Sequence, residues 1–184
     1  DPTSNAWSTL SNLPGSRDHA LAVAIGDDFF VTGGFPNNGM GDQTNNGWRY
    51  IESENRWEAV AELPRLAAGG GTALNGYAYF SGDTGQIGQF DPRLRRTRLI
   101  TGDAESERRD HSQLIAFMGE LWMIGGRSQT LGESNRVSIF DPASETWRAG
   151  PLIQYSRGGF AAATTATHII ISGGEVIFSG NTRV

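Results

Sequence analysis

Short apolar runs alternate with glycine-rich turns along the whole chain. Four of these runs end in the same way, with one or two glycines directly after an apolar strand, at Gly33-Gly34, Gly82, Gly125-Gly126 and Gly173-Gly174. The first glycines of these steps are 49, 43 and 48 residues apart. Such a period is typical of repeat architectures, in which each unit buries its apolar face only by stacking on its neighbours.

The pattern inside the first unit predicts β strands. Small and larger apolar residues alternate over residues 18–25, and after a tight turn residues 29–32 form a second apolar run. A third strand is predicted at 48–52 and a fourth around Trp57. The unit is therefore predicted to be a four-stranded antiparallel meander. Since no segment shows a long helical period, the chain as a whole is predicted to be all-β.

The later units repeat this scheme. Their first strands are predicted near residues 70–74, 111–117 and 159–165, and their second strands near residues 77–81, 121–124 and 168–172. Asp91-Pro92 and Asp141-Pro142 close third strands. Trp147 follows Asp141 by six residues, as Trp7 follows Asp1, whereas Thr97 takes the place of the tryptophan in the second unit. The rim of that unit is therefore expected to pack less well.

These residues carry a family resemblance. An arginine ahead of strand one, a double glycine after strand two, Asp-Pro after strand three and a tryptophan in strand four resemble the signature of kelch repeats, which build the blades of β-propellers. The resemblance covers essentially the whole chain. It departs from the pattern at Asp83, where the second glycine is replaced, at Thr97, and at Ile51-Glu52, where Asp-Pro would stand. It implies an all-β β-propeller built of four-stranded antiparallel blades.

The expected organisation is one kelch-repeat domain over residues 1–184. It starts with strand four of a blade at 1–12, and the repeats follow at about 13–60, 61–101, 102–150 and 151–184. In kelch propellers the N-terminal strand commonly completes the last blade. Two arrangements remain open, four blades closed on themselves or four blades of a six- or seven-bladed ring. The second is favoured because the last unit breaks off inside its third strand.

Charge and composition narrow the range of partners. The net charge is −5, and the 15 basic residues do not form a run that would capture nucleic acid. The chain has no cysteine, which excludes thiolate nucleophiles and thiolate metal sites. It also lacks an apolar stretch of the length that crosses a membrane. Neither a nucleic-acid partner nor a membrane partner is therefore expected, and no compartment is indicated.

An arginine stands at the last loop position before strand one in each unit, at Arg17, Arg65, Arg109 and Arg157. Strand alternation places these loops on one face of the disc, so the arginines are expected to surround the mouth of the central channel. Guanidinium groups match carboxylates and phosphates. In kelch adaptors of ubiquitin ligases, arginines at matching places bind acidic peptides, which is what the resemblance implies here. Alternatively, the arginines bond loop carbonyls or a neighbouring blade.

Two further groups on this face are candidate ligand-binding residues. His19 and His111 each follow an arginine by two positions, so they occupy equivalent places. They could form half of a metal site or carry protons, but Arg-x-His is a recurrent kelch pattern, which favours packed, hydrogen-bonded histidines. Asn37 and Asn38 lie in the longest loop, residues 35–47, where their amides could contact a ligand.

The leading functional hypothesis is a binding module for an acidic peptide or protein, or for an acidic sugar. No catalytic residue, metal or cofactor is assigned. One alternative is a carbohydrate-active enzyme of the sialic acid mutarotase type, in which Arg109 with His111, or Arg17 with His19, would hold a carboxylate beside an acid/base group. Kelch-like copper oxidases need a cysteine, and the iron proteins need a Glu-x3-Asp-x3-His motif that is missing here. An architectural propeller domain is the third possibility.

Overall fold

The computed structural model describes residues 1–36, 42–61, 63–102, 108–128 and 132–176, and these form an all-β fold. The first sheet contains β1 (Leu21–Ile25), β2 (Asp28–Thr32), β3 (Gly47–Ile51) and β4 (Arg56–Val60). The second contains β5 (Gly71–Leu74), β6 (Tyr77–Ser81), β7 (Ile87–Asp91) and β8 (Arg96–Ile100). A short 3-10 helix joins β3 to β4 at Glu52–Glu54.

The third sheet contains β9 (Gln113–Phe117), β10 (Glu120–Ile124), β13 (Val137–Asp141) and β14 (Thr146–Ala149). Between β10 and β13 lies a small two-stranded ribbon of β11 (Arg127–Ser128) and β12 (Gly132–Glu133). The described strands of the fourth sheet are β15 (Gly158–Thr164) and β16 (Ile169–Glu175). Within the described ranges no helix has the length and apolarity needed to cross a membrane.

Each four-stranded sheet is an antiparallel meander whose strands pair in chain order. The first strand of one sheet contacts the first strand of the next, so that β1 lies beside β5, β5 beside β9, and β9 beside β15. The sheets are therefore arranged as successive blades with their first strands innermost. This confirms the prediction of kelch-type propeller blades.

The hydrophobic core lies between the blades. Leu21, Val23 and Phe30 of the first sheet pack against Phe80 and Phe90 of the second. Equivalent clusters join the second sheet to the third and the third to the fourth. No blade encloses a core of its own, which is the physical reason that the units must stack.

The glycine step after β2 is a site of close approach between blades. Gly33 has a φ of +67°, and a Cβ added there would lie 1.9 Å from the carbonyl oxygen of Leu66 in the next blade. That same oxygen accepts a hydrogen bond from the N–H of Gly34 at 2.9 Å. Only a residue without a side chain can hold this bond at this distance.

The first strands of the first and third sheets begin later than predicted. β1 starts at Leu21 instead of at Asp18, and β9 starts at Gln113 instead of at His111. The reason is that His19 and His111 adopt the left-handed conformation, with φ of 56° and 52°, which lies outside the extended region of a regular strand. The backbone of Asp18 instead bridges to Phe35, after β2. This bridge places the loop before strand one and the loop after strand two on the same face, as predicted.

Residues 1–12, expected to supply a fourth strand, form no strand in the structure. Trp7 is fully exposed. A fourth strand needs a third strand to pair with, and the described part of the last sheet ends with β16. Asp1 nevertheless accepts hydrogen bonds from the N–H of Thr3 and the hydroxyl of Ser4, the turn that the Asp-Pro alignment implies.

The rim of the second blade has a gap. In the first and third blades a tryptophan of the fourth strand packs on an aromatic ring of the third, with 5.1 Å between ring centroids for Phe140 and Trp147. In the second blade Thr97 stands opposite Phe90. A cavity of ≈ 290 Å³ lies beside it, lined in part by Tyr77 and Gln89. The expectation that this rim packs less well is confirmed.

Candidate functional site

One row of residues in the left-handed conformation links the four blades. His19, Ala68, His111 and Gly159 occupy the same place in successive units, with φ of 56°, 54°, 52° and 63°. The N–H of Ala68 donates to the carbonyl of His19, that of His111 to Ala68, and that of Gly159 to His111. Since three of these residues stand just before an innermost strand and Gly159 is the second residue of β15, the row follows the inner edge of the loop face. We call it the inner row.

The side chains of the two histidines in this row meet. Nε2 of His19 lies 3.1 Å from Nε2 of His111, although the residues are 92 positions apart. The rings are nearly perpendicular, at 83°, and their centroids are 4.9 Å apart. The intervening Ala68 and the following Gly159 have almost no side chain, so large and small residues alternate along the inner row. The structure thus brings two predicted ligand-binding residues into direct contact.

The Nδ1 atom of each histidine contacts the carboxylate of the aspartate that precedes it in the chain. Nδ1 of His19 lies 2.9 Å from a carboxylate oxygen of Asp18, and Nδ1 of His111 lies 2.8 Å from Asp110. The contact of His111 with Asp110 is a hydrogen bond, and because an ionised carboxylate only accepts, Nδ1 of His111 carries the hydrogen. Asp110 also accepts a hydrogen bond from Nε of Arg127 at 3.2 Å. These two aspartates thus lie against the histidine rings on the side away from the Nε2 contact.

Arg109 does not reach the channel mouth. Its side chain is completely buried, and its guanidinium donates to the carbonyl oxygens of Gly125 and Arg136 and to the hydroxyl of Ser138, at 3.0, 2.8 and 2.7 Å. This is the alternative arrangement, in which an arginine bonds backbone carbonyls of its own blade. The pair of Arg109 with His111 therefore offers no surface for holding a substrate carboxylate.

The guanidinium of Arg17 lies over an aromatic ring. Its central carbon is 4.6 Å from the ring centroid of Trp48, the second residue of β3, and one of its Nη atoms donates to the carbonyl of Ser16 at 2.8 Å. A guanidinium stacked in this way is held in place by cation–π attraction while its edges stay available to acceptors. Trp48 was predicted only as part of a strand, and no sequence signal marked it as a platform.

Arg65 is the exposed arginine of the four, and Arg157 is half-buried like Arg17. The Arg65 side chain is 55% exposed, with Nε donating to the carbonyl of Gln43 at 2.7 Å and Nη2 lying 3.4 Å from a carboxylate oxygen of Asp42. Arg157 donates to the carbonyl of Gly173 at 2.5 Å. Both thus have a backbone anchor on the loop face. Asn37 and Asn38, the candidate amides, lie outside the described residues.

Two residues near this face were missed by the sequence hypothesis. Asp83, which replaces a glycine of the repeat, accepts a hydrogen bond from the Gln43 amide at 2.7 Å and so connects the long loop to the second blade. Arg127 lies between Asp110 and Glu175, 3.2 and 3.3 Å from their carboxylate oxygens. The departure from Gly-Gly was a visible signal for Asp83. No comparable signal marks Arg127.

Comparisons with known proteins agree with this architecture. The family model described as Kelch motif matches residues 16–64. Kelch-like protein 35 of Mus musculus is 27% identical over 158 residues, which are 79% of this chain and 25% of that protein. Kelch-like protein 25 of Xenopus tropicalis is 25% identical over 175 residues, 92% of this chain and 29% of that protein. The chain thus spans less than a third of these relatives.

A solved structure shares the fold. The structure of YjhT superposes with a TM-score of 0.79 at 16% sequence identity, covering 93% of this chain and 63% of that one. At this identity the likeness concerns the arrangement of the blades and does not extend to the side chains of the loop face.

Proposed function

We propose that this chain, which matches the Kelch motif model and is similar to kelch-like proteins, is a binding module that holds an acidic peptide or protein segment on its loop face. Arg17, Arg65 and Arg157 are the residues proposed to contact the ligand. Each stands ahead of the innermost strand of its blade, two positions before the inner row for Arg17 and Arg157 and three positions before it for Arg65. Arg109, at the fourth such position, is assigned to the stability of its blade.

The observation that carries the proposal is the contact of Arg65 with Asp42. The Asp42 side chain is 95% exposed, and its carboxylate lies 3.4 Å from the Arg65 guanidinium. An ion pair this exposed contributes little to stability, at most about 1 kcal/mol. A carboxylate of a bound ligand can therefore displace it at small cost. In the free protein Asp42 stands where the ligand's acidic group would bind.

The anchoring of the arginines supports the same function. Each of the three uses one nitrogen on a backbone carbonyl, that of Ser16, Gln43 or Gly173. Such a bond fixes the direction of the guanidinium and lowers the entropy lost when a ligand binds. The other nitrogens remain donors for a carboxylate, which prefers two parallel N–H bonds from one arginine.

The test is a double substitution, Arg65→Ala with Arg157→Ala. An acidic model peptide, for example one rich in Glu and Asp, is titrated into the wild-type and variant proteins by isothermal calorimetry. We expect wild-type binding that weakens with added salt, and loss of binding in the double variant with the circular dichroism spectrum unchanged. Equal affinity in both proteins would refute the role of these arginines.

A matched control removes the same charge from another surface. Arg56 and Arg148 lie on the outer strands β4 and β14, and both are exposed. The variant Arg56→Ala with Arg148→Ala should bind the peptide as the wild type does. If both double variants lose binding equally, the effect comes from net charge, and the loop face is not a specific site. Binding of sialic acid but not of peptide would favour the sugar-active alternative.

A further inference from the structure

The geometry of the inner row points to a site that the proposed function does not use. We propose that His19 and His111 form a binding site for one divalent transition-metal ion of the Zn²⁺ or Cu²⁺ class, on the loop face of the blades. The two Nε2 atoms are the protein ligands. Asp18 and Asp110 hold the rings in position. The sequence allowed half of a metal site at these histidines, but no metal was assigned because the recurrent Arg-x-His pattern favours packed, hydrogen-bonded histidines.

The distance between the two Nε2 atoms fits their binding to one ion. Two nitrogens bound to one tetrahedral zinc ion at about 2.0–2.1 Å stand roughly 3.3 Å from each other. The Nε2 atoms of His19 and His111 are 3.1 Å apart. Their ring centroids are only 4.9 Å apart, so the rings are inclined to the line between the nitrogens instead of lying end to end along it. Little movement is needed for both nitrogens to reach one ion.

The state of the ring nitrogens also fits a metal ion. Nδ1 of His111 is hydrogen-bonded to Asp110, so Nε2 of a neutral His111 ring presents its lone pair on the side of His19, whose Nε2 is 3.1 Å away. Two ring nitrogens this close need a hydrogen or a metal ion between them. A carboxylate on the far nitrogen is also the usual outer partner of a metal-bound histidine, since it fixes the tautomer and makes the ligand nitrogen more basic.

The charge and the rigidity of the site both favour the binding of a cation. Asp18 and Asp110 bring two negative charges behind the two neutral rings, and Arg127 compensates one of them while also contacting Glu175. The site thus keeps negative charge that a cation would balance. The histidine backbones are held by the hydrogen bonds of the inner row, through Ala68. A site held in this way needs little reorganisation on binding.

The chain supplies two ligands to this ion. In the part of the chain that the structure describes, no group of three or more histidine, cysteine or acidic residues is placed to hold a metal. Water, or a donor atom of another molecule, would complete the coordination. The two histidine side chains are 35% and 24% exposed, so the ion would be reached from solvent.

The experiment titrates Zn²⁺ into metal-free protein without a polyhistidine tag and uses no peptide ligand, so its outcome is separate from that of the proposed function. We expect one ion per chain by calorimetry and a rise in melting temperature, because an ion that bridges the first and third blades binds only the folded chain. Mg²⁺, which prefers oxygen ligands, should give neither effect. A wild type that binds no Zn²⁺ refutes the site.

Variants locate the ion. His19→Ala and His111→Ala should each abolish the calorimetric signal and the rise in melting temperature. The control is His168→Ala, which removes an exposed histidine next to β16 and should leave binding unchanged. Loss of binding in the control alone would overturn the proposal.

A milder change tests the outer partner without removing a ligand. Asp18→Asn keeps the size of the side chain but removes its charge, and should weaken Zn²⁺ binding by about 10- to 100-fold. An unchanged affinity in this variant, with binding retained in His19→Ala, would show that the ion binds elsewhere.

Discussion

The guanidinium of Arg109 donates a hydrogen bond to the hydroxyl of Ser138, 2.7 Å away and fully buried inside the third blade. The two residues belong to the loop before β9 and to β13, so the bond fastens the start of the innermost strand to the third strand. The same guanidinium reaches the carbonyls of Gly125 and Arg136. Arg109, one of the four repeated arginines, therefore stabilises its blade.

Arg109→Met should therefore destabilise the protein strongly. The variant keeps most of the apolar stem but leaves the Gly125 carbonyl and the Ser138 hydroxyl without this donor, and each such buried group costs about 1–3 kcal/mol. We expect a loss of about 3 kcal/mol or more in urea unfolding. Arg65→Ala, which removes the exposed arginine before β5, should lose less than about 1 kcal/mol. Equal losses in the two variants would contradict the assignment of Arg109 to the core.

Thr97→Trp should stabilise the second blade. The new ring would fill the cavity beside Tyr77 and pack on Phe90, as Trp147 packs on Phe140. An aromatic pair contributes about 0.5–1.5 kcal/mol beyond its buried area. For a chain of this size we expect the melting temperature to rise by roughly 1–6 °C.

The control for this substitution is Thr146→Trp, which adds the same ring at an exposed position of β14. It should leave the melting temperature nearly unchanged. If Thr97→Trp lowers the melting temperature, the groove is too narrow or too polar for an indole, and the missing tryptophan does not explain the gap.

Much of the fold could be predicted from the chain because its units repeat the same local rules. A short apolar strand followed by Gly-Gly can be recognised anywhere, since only glycine allows the close approach of Gly33 to Leu66. Asp-Pro is equally local, and Asp1, Asp91 and Asp141 all accept hydrogen bonds from the turn that follows them. Each of these local signals is weak alone, but their recurrence at a regular spacing predicts the fold.

The candidate site was harder to predict because it depends on the orientation of side chains, which the spacing of residues along the chain does not determine. The sequence spacing aligns Arg65 with Arg109, yet one is exposed and the other is buried. Arg65 lies three positions before the inner row and Arg109 only two, so the buried Leu66 takes the place of Arg109 in the second blade. Likewise, the spacing of 92 residues between His19 and His111 shows that they are equivalent, but not that their rings meet. That contact follows from the left-handed backbone at both histidines, which turns the side chains away from the directions a strand would give them.

The Asp-Pro turn after β13 predicts a specific dependence of stability on pH. The hydroxyl of Ser144 and the N–H of Ala143 donate to Asp141 and hold the pKa of its carboxyl below the ordinary value. The folded chain therefore binds this proton less readily than the unfolded chain. The contribution of Asp141 to stability is present above the unfolded pKa of about 3.9 and is lost as the pH falls through the lower folded value.

Asp141→Asn should accordingly melt at a lower temperature than the wild type at pH 7, and the difference should shrink as the pH is lowered below about 4, where the wild-type carboxyl also becomes neutral. Thermal unfolding followed by circular dichroism between pH 7 and pH 3 measures this. Asp27→Asn, at an exposed position of the turn between β1 and β2, serves as the control and should show no such convergence. A difference for Asp141→Asn that stays constant over the whole range would mean that the turn depends on the shape of the side chain, with no contribution from its charge.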